Sequence, residues 1–293
     1  MQAVYTLADL QAGRPLRDDP AGAIRLGVMG DPVEHSRSPA MQNAALEECE
    51  LRTRYVRLRI VPNELAAALD ICGKLGFAGV NLTVPHKVAG FSLVQETDAF
   101  ARRVGAINTV RFADGKRIGV NTDGPGFARA ITESFGVDLR DLRVLVLGAG
   151  GGAGQAVAGQ CAIAGCPTIF LVNRDFAKAE ALAGRWAGNP VQPLPWTDDS
   201  LGEAAAQSDL IVHATPLGLQ PNDPSPLPRA LLRPCHLVYD LNYQPTALLA
   251  AARATGARSA SGLTMLLHQG ALAFEFWFGH PAPLAAMRRA LGL

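Results

Sequence analysis

One segment constrains the fold of this chain more than any other. It is a short apolar strand followed by a glycine-rich turn and a helix. The segment is RVLVLGAGGGAGQA, residues 143–156, with the pattern G-x-G-x-x-A at Gly148, Gly150 and Ala153. Glycine at these positions allows a tight turn and lets a pyrophosphate approach backbone N–H groups at the helix N-terminus. A second strand, TIFLVN, ends at Asn173, which is the spacing of a βαβ unit. The segment predicts a dinucleotide-binding domain, and a purely structural glycine turn is the alternative.

The residues that end the second strand bear on which dinucleotide is bound. Arg174 and Lys178 suit a 2′-phosphate, because the planar guanidinium matches phosphate oxygens. Asp175 opposes that phosphate, since an acidic side chain here favours the ribose 2′-hydroxyl of NAD. The sequence favours NADP and leaves NAD possible because of Asp175, while a solvated helix start is the alternative to both. The cofactor-binding residues predicted in this region are Gly148, Gly150, Gly151, Gly152, Ala153, Asn173, Arg174 and Lys178.

Short apolar runs alternate with longer helical ones along most of the chain. IRLGVMG, RYVRLRIV and GFAGVNLTV are predicted strands before Thr122, and four further strands alternate with helices after it. Such βαβ repetition predicts parallel sheets covered by helices. NTVRFADGKRIGVNTD predicts a hairpin that turns at Asp114-Gly115. The apolar run GLTMLLHQGALAFEFWFG predicts a buried C-terminal helix.

Composition excludes several classes of protein. The 293 residues suit one large domain or two ordinary ones, and a net charge of +1 without a Lys/Arg block argues against nucleic acid and membrane surfaces as partners. The five cysteines lack metal-ligand spacing, so we expect no metal and a reducing compartment. No secretory signal or membrane-spanning run is visible, which predicts a soluble cytoplasmic protein. Residues 1–24, which include RPLRDDPAGA, are predicted to be an extension of a fold that begins at Arg25.

The segment GVNLTVPHK, residues 79–87, begins as a strand and ends at a lysine. Its alternation predicts that Asn81 and Thr83 share one face, with Lys87 just beyond the strand. Three apolar side chains are predicted to enter the core on the opposite face: Val80, Leu82 and Val84. The polar face is either a solvated sheet surface or the floor of a site.

Three more polar segments precede the glycine turn. HSRSP contains Ser36 and Ser38, GAINTV contains Asn108 and Thr109, and NTDGPG contains Asp123. Each has a structural alternative, as a helix N-cap or as a turn residue. Together they provide hydroxyls, amides and a carboxylate at strand ends and loops, and so predict a polar binding site.

Eight segments, in their order and approximate spacing, resemble the shikimate dehydrogenase family. They are HSRSP, GVNLTVPHK, GAINT, NTDG, GAGGGAGQA, NRD, ATPLG and GLTMLLHQGA, and the resemblance extends from about Arg25 to the C-terminus. It implies a two-domain α/β fold: an N-terminal substrate domain with a mainly parallel sheet, a Rossmann-type NADP-binding domain, and a C-terminal helix that returns to the substrate domain. The implied divisions are 1–24, 25–122, 123–261 and 262–293.

The resemblance also implies roles for individual residues. Lys87 and Asp123 match the catalytic pair beside the substrate hydroxyl that is oxidised. The implied substrate-binding residues are Ser36, Ser38, Asn81, Thr83, Asn108, Tyr243 and Gln269, with the two serines and the tyrosine near the substrate carboxylate. Further implied cofactor contacts are Thr215, Pro216, Leu217 and Gly262.

The implied activity is the reversible NADPH-dependent reduction of 3-dehydroshikimate to shikimate, in the biosynthesis of aromatic amino acids. An NAD-dependent quinate/shikimate dehydrogenase is the alternative, although Ser38 favours shikimate because quinate relatives often carry threonine there. A ligand-binding regulator on the same fold is a further alternative, but it should have lost Lys87 or Asp123. We expect a small-molecule substrate as partner and a monomer or homodimer.

Overall fold

The computed structural model describes residues 4–13, 24–220 and 222–293. Contacts divide the chain into two compact units. The first unit comprises Met1–Thr122 and Gln269–Leu293, and the second unit comprises Asp123–His268. Among the described residues, each unit contains one β-sheet. Within the described stretches, no helix combines the length and the apolar character that a bilayer span requires.

Seven strands form the sheet of the first unit, in the order β1-β3-β2-β4-β6-β7-β5. They are β1 (Val4–Thr6), β2 (Ile24–Gly30), β3 (Arg54–Arg59), β4 (Gly79–Leu82), β5 (Glu96–Thr97), β6 (Thr109–Ala113) and β7 (Lys116–Val120). Four of the six strand pairs are parallel, and β6 is antiparallel to both β4 and β7. The mainly parallel sheet that the sequence predicts is therefore confirmed. The hairpin turns where it was predicted, with φ of 52° at Asp114 and 72° at Gly115.

The helices that accompany this sheet are α1 (Leu7–Gln11), α2 (Ser38–Glu48), α3 (Leu65–Lys74), α4 (His86–Phe91) and α5 (Ala99–Val104). Apolar side chains from the strands and from α3 form the core of this unit. Val80 and Leu82 belong to that core, as the alternation in β4 predicts. The strand ends at Leu82, so Val84 lies outside the sheet and is 65% exposed. The prediction that Val84 enters the core is wrong, because the alternation of the sequence continues past the last strand residue.

The start of the fold also differs from the expectation. Residues 4–11 form β1 and α1, and β1 pairs in parallel with β3 as an edge strand. Tyr5 and Leu10 are buried in the core of the first unit. Two buried side chains in so short a segment give no visible periodicity, so the sequence alone did not indicate that it joins the sheet. The remainder of the predicted extension, residues 1–3 and 14–23, lies outside the described residues.

Six strands form the sheet of the second unit, all parallel, in the order β10-β9-β8-β11-β12-β13. They are β8 (Arg143–Leu147), β9 (Thr168–Val172), β10 (Val191–Leu194), β11 (Leu210–His213), β12 (Leu237–Asp240) and β13 (Arg258–Ser261). Numbered within the unit, the order is 3-2-1-4-5-6, the order of the dinucleotide-binding doubly wound fold. The helices are α6 (Asp123–Phe135), α7 (Gly152–Ala164), α8 (Phe176–Arg185), α9 (Asp198–Gln207) and α10 (Ala247–Ala254). The sequence did not predict the edge strands β10 and β13, whose sequences VQPL and RSAS are short and lack an apolar run.

The predicted C-terminal helix is α11 (Leu263–Phe278), and α12 (Leu284–Leu291) follows it. From Gln269 onward the chain belongs to the first unit, so the expected return of this helix is confirmed. Trp277 donates from its indole to the carbonyl of Val110 at 3.0 Å, and a Cβ atom at Gly79 would overlap the indole. Gly79 is therefore required by the close packing of α11 on β4.

Candidate active site

Asn81 is the centre of a buried hydrogen-bond network in the first unit. It lies in β4 on the face opposite Val80, so its amide is directed away from the apolar core. The hydroxyl of Tyr55 donates to Asn81 Oδ1 at 2.7 Å. Asn81 Nδ2 donates to the carbonyl of Asn108 at 3.1 Å and to Thr109 Oγ1 at 2.9 Å. Both amide hydrogens are used, which leaves Asn81 able to offer a ligand only an acceptor.

Tyr55 reaches this amide from β3 across the intervening strand β2. Leu26 in β2 is in register with both Tyr55 and Gly79, and the length of the phenol spans the gap to Asn81. Burial holds the pKa of the Tyr55 phenol well above its usual range, although a hydrogen bond with Ser38 lowers it. The phenol therefore stays protonated and remains a donor. Sequence reasoning missed Tyr55, because the alternation in RYVRLR groups it with Arg57 and Arg59 on the polar face of the strand.

Asn108, which directly precedes β6, is a second centre of the same network. Its Oδ1 accepts from the backbone N–H of Thr122 at 2.7 Å, and its Nδ2 donates to Thr122 Oγ1 at 2.9 Å. Nδ2 also donates to Gln269 Oε1 at 3.3 Å. Asn108 thus links the strand end at Thr122 to α11 and fixes the carbonyl end of the Gln269 amide. Thr122 is a second residue of the network that the sequence did not single out.

The two serines lie at the start of α2. Ser38 is its first residue and is buried, and its backbone N–H donates to Ser36 Oγ at 3.3 Å. Two arginines form hydrogen bonds that fix the position of the segment that carries the serines. Arg57 Nη2 donates to the carbonyl of Ser36 at 2.7 Å, and Arg37 Nη2 donates to the carbonyl of Leu291 at 2.7 Å. The Leu291 carbonyl is one of the groups at the C-terminus of α12 that have no partner within the helix, so Arg37 attaches the serine segment to that helix.

Lys87 lies in the first turn of α4, directly after the exit from β4. Its side chain is partly buried, and its carbonyl accepts from the N–H of Ile107 at 2.9 Å. The preceding residue, His86, is buried and its Nε2 lies 2.7 Å from the carbonyl of Ile60. Burial lowers the pKa of His86 below the usual value, although the Ile60 carbonyl and Asp31 both raise it. His86 therefore stays neutral beside Lys87 near neutral pH.

The predicted substrate and catalytic residues are distributed over both units. The contacts described above connect five of them within the first unit: Ser36, Ser38, Asn81, Asn108 and Gln269. Two more, Thr83 and Lys87, follow β4 in the same unit. The other two belong to the second unit. Asp123 is the buried first residue of α6, and Tyr243 lies partly buried in the loop that follows β12.

The glycine turn of the second unit follows β8. Gly148 has φ of 94°, and a Cβ atom there would lie 2.6 Å from Thr215 Cγ2. A Cβ atom at Gly150 would lie 2.9 Å from Asn173 Oδ1, whereas one at Gly151 would meet nothing closer than 3.9 Å. Gly151 is the exposed N-cap of α7 and has no side chain to cap the first-turn N–H groups. The open helix N-terminus fits a dinucleotide pyrophosphate.

The residues after β9 form the adjoining edge of this turn. Asn173 Oδ1 accepts from the N–H of Gly150 at 3.2 Å, and Asn173 Nδ2 donates to the carbonyl of Asp175 at 2.9 Å. Asn173 therefore orders the turn rather than simply facing solvent. Asp175 and Lys178 form an exposed ion pair at 3.6 Å, and Arg174 is exposed beside them. Two cationic side chains and one carboxylate thus surround the position where a ribose 2′-substituent is expected.

The remaining predicted cofactor contacts lie on two other segments of the second unit. Thr215, Pro216 and Leu217 follow β11 at the strand end next to the glycine turn. Gly262 is buried between β13 and α11, and a Cβ atom there would overlap the carbonyl of Leu241. Glycine is required at position 262 by that contact with the backbone. Among the described residues, no group of three or more His, Cys, Asp or Glu side chains could hold a metal ion.

Comparison with known proteins supports the description of both units. Three family models match: the shikimate dehydrogenase substrate binding domain over residues 28–110, the shikimate/quinate 5-dehydrogenase model over 129–218, and the shikimate 5′-dehydrogenase C-terminal domain over 262–291. A shikimate dehydrogenase (NADP(+)) from Desulforamulus reducens is 43% identical over 272 residues, which cover 90% of this chain and 93% of that one. The chain belongs to the shikimate dehydrogenase family. The resemblance noted in the sequence is thereby confirmed.

Solved structures of the family share the fold. The shikimate dehydrogenase from Aquifex aeolicus has a TM-score of 0.85 at 35% identity, covering 92% of this chain and 97% of that chain. The shikimate 5-dehydrogenase from Thermus thermophilus, in complex with NADP(H) and shikimate, has a TM-score of 0.81 at 38% identity, covering 92% of this chain and 98% of that chain. For this family member the two-domain α/β fold with a Rossmann-type domain is established.

Proposed function

We propose that this chain is an NADP-dependent shikimate dehydrogenase, an oxidoreductase that interconverts 3-dehydroshikimate and shikimate in aromatic amino acid biosynthesis. The observation that carries the proposal is the buried network of Tyr55, Asn81, Asn108, Thr122 and Gln269 in the first unit. Such a network of amides and hydroxyls suits a polyhydroxylated ring acid far better than an apolar ligand. The curated relative and the complex described above carry the same substrate and cofactor in their names.

We propose Lys87 and Asp123 as the catalytic residues. NADP, when bound, accepts or returns a hydride at its nicotinamide ring. The alcohol that loses this hydride must also lose a proton from oxygen, and the ammonium or amine of Lys87 is the group proposed to transfer it. Asp123, the buried first residue of α6, is the proposed second member of the catalytic pair, as the resemblance implies.

We propose that the serine segment binds the substrate carboxylate and that the amides bind the ring hydroxyls. Ser36 and Ser38 present hydroxyls at the start of α2, and Tyr243 is the proposed third contact with the carboxylate. Asn81 can accept from a ring hydroxyl through Oδ1, because its two N–H groups are already used. Asn108 is saturated by Thr122 and Gln269, so its proposed role is to orient the Gln269 amide toward the ring.

The remaining proposed substrate contact is Thr83, whose partly exposed side chain follows β4. A substrate that lacks a hydroxyl would lose its hydrogen bond with one of these groups, at a cost of about 1–3 kcal/mol. The site should therefore discriminate strongly between ring acids that differ in their hydroxyl groups.

The cofactor is NADP. The open N-terminus of α7 fits the pyrophosphate, and Arg174 with Lys178 fits the 2′-phosphate. Lys178 is paired with Asp175 at 3.6 Å, and an exposed pair of this kind contributes only about 0–1 kcal/mol. The pair can therefore rearrange when a phosphate binds, so Asp175 reduces the preference for NADP without reversing it.

A four-way assay tests the proposal. Purified protein is given shikimate or quinate with NADP⁺ or NAD⁺, and the absorbance of the reduced nicotinamide is followed. We expect turnover with shikimate and NADP⁺ to exceed the other three combinations. Preferred turnover of quinate with NAD⁺ would favour the alternative enzyme, and binding of nucleotide without turnover would favour the regulator.

Two further expectations accompany the proposal. A biosynthetic enzyme that uses NADPH is expected in the cytoplasm, and the protein is expected to be a monomer or homodimer. Fractionation of the source cell and light scattering of the purified protein would measure these.

A further inference from the structure

A buried histidine–aspartate pair ends two neighbouring strands of the second unit. His213 is the last residue of β11 and Asp240 the last of β12, and the two are aligned in register. Both are completely buried, and His213 Nδ1 lies 3.1 Å from Asp240 Oδ1. At this distance the two atoms are in polar contact, although the geometry is not that of a regular hydrogen bond. The reaction proposed above does not use either residue.

The other nitrogen of the imidazole contacts a residue of the cofactor segment. His213 Nε2 lies 2.5 Å from Thr215 Oγ1, and the backbone N–H of Leu217 donates to the same hydroxyl oxygen at 3.1 Å. Since Thr215 Oγ1 accepts from Leu217, its own proton is available to donate to His213 Nε2. The imidazole then carries a hydrogen on Nδ1, where it faces Asp240. This tautomer fits the contacts with Thr215 and Leu217 and directs the ring hydrogen on Nδ1 toward the Asp240 carboxylate.

Asp240 also holds the loop that follows its own strand. Its Oδ1 accepts from the N–H of Asn242 at 2.9 Å, and its Oδ2 accepts from Thr246 Oγ1 at 2.6 Å. Asn242 Nδ2 in turn donates to the carbonyl of Leu217 at 2.9 Å. The carboxylate therefore orders the loops after β11 and β12 together, and both meet at Leu217.

Thr215 is fixed at both ends of its side chain. Its hydroxyl contacts His213, and its methyl group lies 2.6 Å from the position that a Cβ atom at Gly148 would occupy. Strand order places β8 next to β11, so this contact joins the segment after β11 to the glycine turn after β8. The crevice at the carboxyl ends of these two strands is where ligands bind in doubly wound sheets.

We propose that His213 and Asp240 are positioning residues, which hold Thr215–Leu217 against the glycine turn and thereby set the affinity for the dinucleotide. The inference rests on the proposed function, because it concerns the cofactor site of that enzyme. A purely structural pair would stabilise the sheet without affecting nucleotide binding, and the two possibilities differ in what substitution does.

Two conservative variants test the contacts of the two imidazole nitrogens separately. The amide of His213→Gln can reach the Nε2 position and keep the Thr215 contact, whereas that of His213→Asn can reach only the Nδ1 position and loses it. Thr215→Val removes the hydroxyl and keeps the methyl group. His236→Gln is the matched control, because His236 is a buried histidine that accepts from Arg233 N–H just before the amino end of β12.

The measurements are the Kd for NADPH by equilibrium fluorescence, without substrate, and the Tm of each variant. We expect His213→Asn and Thr215→Val to raise Kd about tenfold, and His213→Gln to raise it by less than about threefold. His236→Gln should lower Tm and leave Kd unchanged. In the protein without nucleotide, the ¹⁵N shifts of the His213 ring should report a hydrogen on Nδ1, with the signal assigned by its loss in His213→Gln.

Equal Kd values for His213→Asn and His213→Gln, together with equal losses of Tm, would overturn the proposal and leave a structural pair. Failure of the proposed function would give a different result from failure of the positioning role. If the protein turns over no shikimate but binds NADPH with the expected order of Kd values, the positioning role stands and the substrate assignment falls. If the unsubstituted protein binds no dinucleotide, both fall.

Discussion

The first unit and the second unit build their binding sites from different parts of the chain. In the first unit the site is a network of buried side chains, in which Asn81 and Asn108 use most of their hydrogen-bonding capacity on other protein groups. In the second unit the turn at Gly148 and the open N-terminus of α7 present backbone, with exposed charges at Arg174 and Lys178. A network of this kind loses several contacts when one member changes, whereas exposed charges beside the glycine turn tolerate substitution. Substrate choice should therefore be rigid in this protein, and cofactor preference adjustable.

The largest expected effect is that of Lys87→Ala. Loss of the proposed proton-transfer group should reduce kcat by about 10²–10⁴-fold. Because the side chain is partly exposed, Tm and the Kd for NADPH should change little. Stopped-flow or steady-state kinetics with shikimate and NADP⁺ measure the loss. Lys74→Ala, at the exposed C-terminal end of α3, is the matched control and should keep full activity. Near-normal kcat in Lys87→Ala would remove the lysine from the mechanism.

Tyr55→Phe tests the rigidity of the network with a smaller change. The substitution removes the donor to Asn81 Oδ1 and the partner of Ser38 while preserving the ring. We expect unfolding free energy to fall by about 1–3 kcal/mol and the KM for shikimate to rise about tenfold. Denaturant unfolding and initial rates measure the two quantities. Tyr5→Phe, in the edge strand β1, is the control for loss of the hydroxyl of another buried tyrosine.

An unchanged KM for shikimate in Tyr55→Phe would show that Asn81 does not depend on its protein partners to bind the ring. The substrate site of the first unit would then tolerate substitution as the cofactor site of the second unit does. The two sites would no longer differ in this respect. A raised KM for NADPH would also count against the contrast, because the network would then serve the cofactor.

Arg37→Met should have a weaker effect on the same site. The guanidinium joins the serine segment to the C-terminal carbonyl of α12, so its loss should loosen Ser36 and Ser38 without removing either hydroxyl. A several-fold rise in the KM for shikimate, with kcat unchanged within about twofold, is expected for one lost hydrogen bond from a charged donor. Arg289→Met is the control, because the exposed side chain of Arg289 on α12 pairs at 3.3 Å with Glu48, at the end of α2 remote from the serines. A KM in Arg37→Met equal to that of the unsubstituted protein would mean that α12 does not support the serines.

The same contrast explains what the sequence could predict. The glycine turn depends on local backbone geometry, so the pattern at Gly148 and Gly150 indicates it directly. The parallel sheets follow from the alternation of strands and helices in the same way. The network in the first unit depends on residues far apart in the chain, such as Tyr55 with Asn81 and Asn108 with Gln269. The resemblance identified Asn81, Asn108 and Gln269, but nothing local marks Tyr55 as their partner.

Predictions failed where tertiary contacts override local pattern. Val84 continues the alternation of β4, but the strand stops at Leu82 and exposes it. Residues 4–11 form too short a segment to show a period, and they join the sheet because β3 offers an unpaired edge. The pair of His213 and Asp240 is invisible in the sequence for the same reason, since only the register of β11 with β12 brings the two together.

The smallest expected effect, and the sharpest test of an adjustable cofactor site, is that of Asp175→Ser. The serine removes the carboxylate that pairs with Lys178 and leaves both cations available to the 2′-phosphate. An exposed pair contributes about 0–1 kcal/mol, so the ratio of kcat/KM for NADP⁺ over NAD⁺ should rise by up to about fivefold. Glu96→Ser, which breaks the exposed pair with Lys116 in the first unit, should leave that ratio unchanged. A fall in the ratio would mean that Asp175 orients Lys178 toward the phosphate rather than competing with it, and that the charges of this site act as a fixed arrangement like the network of the first unit.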